Sequence, residues 1–395
     1  MLTILKRHSL MKQLVVFTRM LSSVKTMERK VVDIITAPQQ YEGGGFLVRR
    51  PIGGKLPQVD PFVLLDHFGP AVFKPGEAIG APDHPHRGFE TVSYIIEGSM
   101  QHKDSLGNKG NLKSGWVQWM TAGSGVVHSE MPSDDIMKNG GKLEGFQLWV
   151  NLPAKDKMIA PRYQDTPNEK IPVATTPDGK VKVKIIAGKS LGAEAVIETR
   201  TPIMYLDIRL QPGARFTQDV PESYNGFVYV WKGAGYLGND EKTANMGQVG
   251  ILTSGSVFTD LFARMWVSEV ILVHCRMWVS EVILVPLQDV GVRSNTGTSA
   301  GCGCQKYRVI LVPLQDVGVR SNTGTTAGYC HVILAAGVPL KEPVVQHGPF
   351  VMNTETEIQQ AMKDYRSGKL GSIPGSEERF AQTEAAKQKQ HISGT

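Results

Sequence analysis

The chain has 395 residues, 41% hydrophobic and 20% charged, with 42 glycines and 23 prolines. That length can bury a large core and suits two domains, and the turn-rich composition favours an all-β design. Of the formal charge of +6, five units reside in the first 27 residues, where Lys6, Arg7, Lys12, Arg19 and Lys25 meet no acid; the remainder holds 38 basic and 37 acidic residues, which argues against direct nucleic-acid contact.

In chain order, residues 1–27 come first. They read either as a transit peptide for a mitochondrion or plastid or as a leader preceding a start at Met27. From Lys30 short apolar runs follow at 45–50, 61–65, 91–96, 116–120 and 146–150, broken by glycine and proline. This spacing predicts a β-barrel or sandwich over 28–160. Pro161 to Pro172 reads as a linker. A second run of strands, including 203–208 and 226–230, predicts a second β domain over 173–370. Asn353 or Thr354 caps a predicted short helix through Ile358, Met362 and Tyr365, ending at Gly368. Residues 371–395 read as a polar tail. No apolar run reaches the roughly 18 residues that a membrane helix needs, so no membrane partner is expected.

Residues 261–331 interrupt this pattern. The segment 264–273 recurs at 276–285, and 282–298 recurs at 309–325. The copies match even at positions free to vary, which points to a recent duplication or a gene-model artefact; a working solenoid repeats more often and drifts. All four cysteines, Cys275, Cys302, Cys304 and Cys330, lie in this block. A disulfide scaffold is not expected, and Cys302-Gly-Cys304 alone is half of a thiolate site.

The chemistry concentrates in His84-Pro-His86 and His128-Ser-Glu130. Residues i and i+2 of a strand share a face, so each pair can aim at one point and two strands can close four ligands round a metal. Three nitrogens and one oxygen suit Fe(II), Mn, Ni, Cu or Zn better than Ca or Mg. Other candidates have plainer readings. Glu90, four residues after His86, would share its face in an ideal strand and reads as a structural residue or as one that orients a ligand ring. His102 reads as a solvated loop residue, His67 and His347 as structural, and Arg87 as a surface or interface residue. Trp116, Trp119 and Trp149 read as barrel core, with one at a pocket mouth.

The segments 83–92 (Asp-His-Pro-His-Arg-Gly-Phe-Glu-Thr-Val) and 118–132 resemble the metal motif of the pirin family. Supporting blocks are Leu64-Leu65-Asp66, 148–153, 201–207 and 342–353, so the resemblance spans 28–260 and 332–370. It implies a bicupin fold: two stacked antiparallel β-barrels of jelly-roll type, with one iron in the first barrel. The implied ligands are His84, His86, His128 and Glu130, with Fe(II) as cofactor and other divalent transition metals as alternatives. The implied activity is that of a quercetin 2,3-dioxygenase, with Glu130 as base and a flavonol-like substrate. An alternative is an iron-dependent redox sensor that docks a transcription-factor protein. A third is a degenerate metal binder, because 261–331 replaces strands of the second barrel. Nucleus and cytoplasm are the expected locations, and a monomer the expected state.

Overall fold

Apolar side chains recur at every second position along the central strands of both halves, and a period of two puts one row on each face of a sheet. A computed structural model describes residues 29–42, 44–238, 241–253, 257–263 and 328–393. The leader, most of the duplicated block and Cys275, Cys302 and Cys304 lie outside the described residues.

The first barrel has two antiparallel sheets. One runs, edge to edge, through Arg162–Thr166, Val117–Thr121, Phe89–Glu97, Gly141–Asn151, Phe62–Phe73, Phe46–Ile52 and Gln39–Glu42. The other orders Ala81–His86, Val126–Pro132, Ser99–Asp104 and Lys109–Lys113. The second barrel centres on Asn225–Leu237, Cys330–Gly337, Ile203–Leu210 and Val181–Ala187, with Val31–Thr36 and Gln248–Leu252 extending one edge. Two cupin-type barrels stand as the sequence implied.

The large sheets pack face to face. Val92, Tyr94, Trp119, Phe146, Leu148 and Val150 of the first meet Tyr205, Phe227, Tyr229, Trp231, Ile333 and Ala335 of the second in one buried cluster. A row of aromatics on sheet faces of this kind dominates the apolar area removed from water. His67 is buried in this layer. Its Nδ1 lies 3.0 Å from the Tyr229 hydroxyl of the second barrel, and its Nε2 3.1 Å from Glu144.

The domain boundaries differ from the sequence reading. Residues 162–166 are no linker: they pair in register with Val117–Thr121 and form the edge strand of the first barrel. Val31–Thr36 pairs with the second barrel, not the first. The expected helix is present as Glu355–Arg366, with Thr354 and Glu357 forming a reciprocal capping box. Beyond it, the polar tail forms a helix of 18 residues, Ser376–Ser393. It buries Arg379, Thr383 and Ala386, a stripe at helical spacing in which two of three residues are polar. Cys330, inside the block, is a buried core residue of the second barrel. No helix among the described residues is long and apolar enough to cross a membrane.

Candidate metal centre

The Ala81–His86 and Val126–Pro132 strands are antiparallel neighbours, with His84 directly opposite His128 and His86 opposite Val126. Close approach is possible because residue 80 is glycine; a Cβ there would strike the Glu130 carbonyl. The rings of His84, His86 and His128 form a triangle with centroids 4.8, 4.4 and 4.8 Å apart. Their ligand atoms all lie within 4.8 Å of one another.

The hydrogen-bond network assigns the tautomers. Nδ1 of His84 lies 2.8 Å from the Pro82 carbonyl oxygen, and Nδ1 of His86 3.4 Å from that of Pro349. A carbonyl only accepts, so each Nδ1 carries the hydrogen and each Nε2 keeps its lone pair. Nε2 of His128 is 2.9 Å from Nε2 of His84. Lone pairs at that distance need a proton or a cation between them. A shared proton leaves the buried Nε2 of His86 without a partner, whereas one cation would take the Nε2 of all three rings; the buried Nδ1 of His128 has no partner among the described residues in either case. Two nitrogens ~2.1 Å from one ion and at right angles about it would stand about 3 Å apart. Burial, with the charge of the His84 ring second, pushes His86 well below the usual histidine range, and burial followed by the neighbouring rings does the same for His128. Both rings are therefore neutral, the form that binds metal. The three histidines fit a divalent transition metal.

Glu130 is placed differently from the histidines. A register shift between His128 and Glu130 sets it opposite Ala81. Its Oε1 accepts from the Ser93 hydroxyl at 2.7 Å and its Oε2 from the Gln147 amide at 2.6 Å. Gln147 in turn accepts from the Trp149 indole at 3.0 Å, which fixes the way its amide points. Ser93, Gln147 and Trp149 thus hold the carboxylate through a chain that sequence reading missed. The only signal was period two in each strand, because register between strands is not written locally.

Several expectations are corrected. Glu90 belongs to a different strand from His86, beyond the turn at Gly88, and shares its parity with Val92 and Tyr94 of the inter-barrel layer. There Thr121 donates to it at 2.6 Å, and burial raises its pKa; it orients no ligand ring. His102 is not on a solvated loop. It is buried in Ser99–Asp104, stacked on Tyr163 at 5.0 Å and 3.5 Å from Asp165. Arg87 is buried rather than at the surface. Trp119 is core, as expected, and Trp149 stands 5.2 Å from His86. His347 is exposed on the Val345–His347 strand.

His84, His86, Ser93, Glu130, Gln147 and Trp149 line a cavity of about 1000 Å³. That is the size of a small-molecule site, and its outer wall includes Tyr41, Leu47 and Phe380.

Residues 45–150 match the Pirin family, and residues 205–270 and 296–371 match the Pirin C-terminal cupin domain. The second match therefore enters the duplicated block from both sides, further than the resemblance at 28–260 and 332–370. A pirin-like protein of Solanum lycopersicum is 39% identical over 89% of this chain and 96% of its own length. The pirin of Homo sapiens is 36% identical over 87% of this chain and 94% of its own. The crystal structure of a quercetin 2,3-dioxygenase from Acinetobacter baumannii superposes with a TM-score of 0.69 and 31% identity, covering 88% of this chain and 99% of that one.

Proposed function

The chain belongs to the pirin family, and on that premise we propose that it is an iron-dependent flavonol dioxygenase of the quercetin 2,3-dioxygenase type. The observation that carries this reading is the convergence of three neutral imidazoles beside a cavity of about 1000 Å³. The similarity to the Acinetobacter dioxygenase supports the substrate class. In this reading His84, His86, His128 and Glu130 hold Fe(II). Fe(II) there would supply Lewis acidity toward the 3-hydroxyl and 4-carbonyl oxygens of a flavonol and electron transfer with dioxygen.

The chain's own residues do the rest. Trp149 packs against Phe89 with centroids 4.3 Å apart, and its indole hydrogen is committed to Gln147, so it presents a fixed aromatic wall to a planar substrate. Glu130 accepts the 3-hydroxyl proton on a carboxylate lone pair that Ser93 and Gln147 leave free. Those two donors keep the carboxylate aimed. The reaction balances as flavonol plus dioxygen giving the ring-opened ester plus carbon monoxide.

The test is dioxygen uptake and carbon monoxide release with quercetin, for the iron-loaded protein and for Glu130→Gln. Uptake matched by carbon monoxide, falling about 100-fold or more in the variant, supports the proposal. Full activity in the variant removes Glu130 from the base role. Bound iron with no uptake would favour the redox sensor that docks a protein partner.

A further inference from the structure

The two histidines of one strand are flanked by Asp83 and Arg87, and both flanking charges are paired with the far end of the chain. Arg379, on the Ser376–Ser393 helix, grips Asp83 with two donors, Nη2 to Oδ2 at 2.8 Å and Nε to Oδ1. Both side chains are 8% exposed. The same guanidinium donates to the carbonyls of Pro374 and Ile373 at 2.9 and 3.2 Å, so it cannot follow a displaced Asp83. On the other side, Arg87 donates to Asp364 of the Glu355–Arg366 helix at 2.9 Å, and to the Ser124 carbonyl at 2.7 Å.

The backbone repeats this arrangement. The Val351 amide donates to the Arg87 carbonyl at 3.1 Å, and the Lys157 ammonium bridges the carbonyls of Gly88 and Val351 at 2.7 and 2.9 Å. Pro349 supplies the acceptor for His86 Nδ1. A planar guanidinium bound bidentately to a carboxylate fixes direction as well as distance. A strand clamped at both ends by opposite charges holds its two imidazoles at one separation and one angle.

We infer that Arg379 and Asp364 are positioning residues of the metal centre, acting through Asp83 and Arg87, so that residues 349–379 are part of the site. This rests on reading His84, His86 and His128 as metal ligands.

The experiment is titration of the metal-free full chain with Co(II), followed by its visible absorption, for wild type, Arg379→Ala, Arg379→Lys and Arg29→Ala. Arg29 is equally buried and donates to the carbonyls of Thr253 and Pro221 at 2.7 and 2.6 Å, away from the histidines. The expected result is about 10-fold weaker Co(II) binding and an altered spectrum in Arg379→Ala. Arg379→Lys keeps the charge and should recover part of the affinity, and it answers the question if the alanine variant does not fold. Arg29→Ala should lose thermal stability and keep the wild-type affinity and spectrum. Unchanged Co(II) binding in both Arg379 variants overturns the inference while leaving the metal centre standing. Equal weakening in Arg29→Ala overturns it as a general effect of stability. No Co(II) binding by wild type overturns the metal centre and the inference with it. Co(II) binding without flavonol turnover sinks only the dioxygenase reading.

Discussion

The two barrels share an architecture and differ in what their inward rows contain. In the second barrel the central strands turn Leu206, Ile208, Val228, Val230, Val332 and Leu334 inward, and all six are fully buried in one aliphatic cluster. In the first barrel the corresponding row holds Ser93, Gln147 and Trp149, facing His84, His86, His128 and Glu130. Among the described residues the second barrel's row is aliphatic, whereas the first gives up packing to keep a cavity and a connected set of polar groups. Small barrels can do either. Chemistry is thereby placed in one half, and the shared aromatic layer joins it to the other.

That contrast can be broken from either side. His128→Ala should have the largest effect, loss of metal binding with both barrels still folded, read by isothermal titration and far-ultraviolet circular dichroism. Leu206→Ala should cost about 2–5 kcal/mol of stability and leave metal affinity unchanged, which urea unfolding beside a metal titration would show. A weakened metal site in that variant would mean the halves are coupled. Ser93→Ala should weaken metal binding by roughly 10- to 100-fold through the loosened Glu130 carboxylate, measured by competition with a chromogenic chelator.

The smallest effect is a pH slope. In the unfolded chain His86 and His128 take a proton near the ordinary 6.5, while burial keeps them neutral well below that in the folded metal-free protein. The unfolded state then binds more protons, so stability falls as pH drops below 6.5, by up to about 1.4 kcal/mol per pH unit for each ring. A urea midpoint that stays flat from pH 7 to 5 contradicts this, and the slope should shrink in His86→Ala.

The histidines were legible because a spacing of two on adjacent strands is a local signal. The helix cap was legible as Asn353 or Thr354, and the structure gives it to Thr354, which shares a capping box with Glu357. What the sequence hid depends on register and tertiary partners. Ser93 and Gln147 meet Glu130 only through strand pairing. The burial of His102 is hidden in the sequence because it comes from Tyr163 and Asp165, on a segment with the composition of a linker. Ser376–Ser393 escaped notice because its buried stripe carries Arg379 and Thr383, which no apolar periodicity reveals. The Arg379–Asp83 pair joins residues 296 positions apart.

The measurement that bears most directly on the central claim is metal stoichiometry. Wild type and His86→Ala would be reconstituted with Fe(II) without oxygen, desalted and analysed by mass spectrometry of the metal. One iron per chain in wild type and none in the variant is the predicted result. No retained iron in wild type, or an undiminished count in His86→Ala, would contradict a single metal centre at the three histidines of the first barrel.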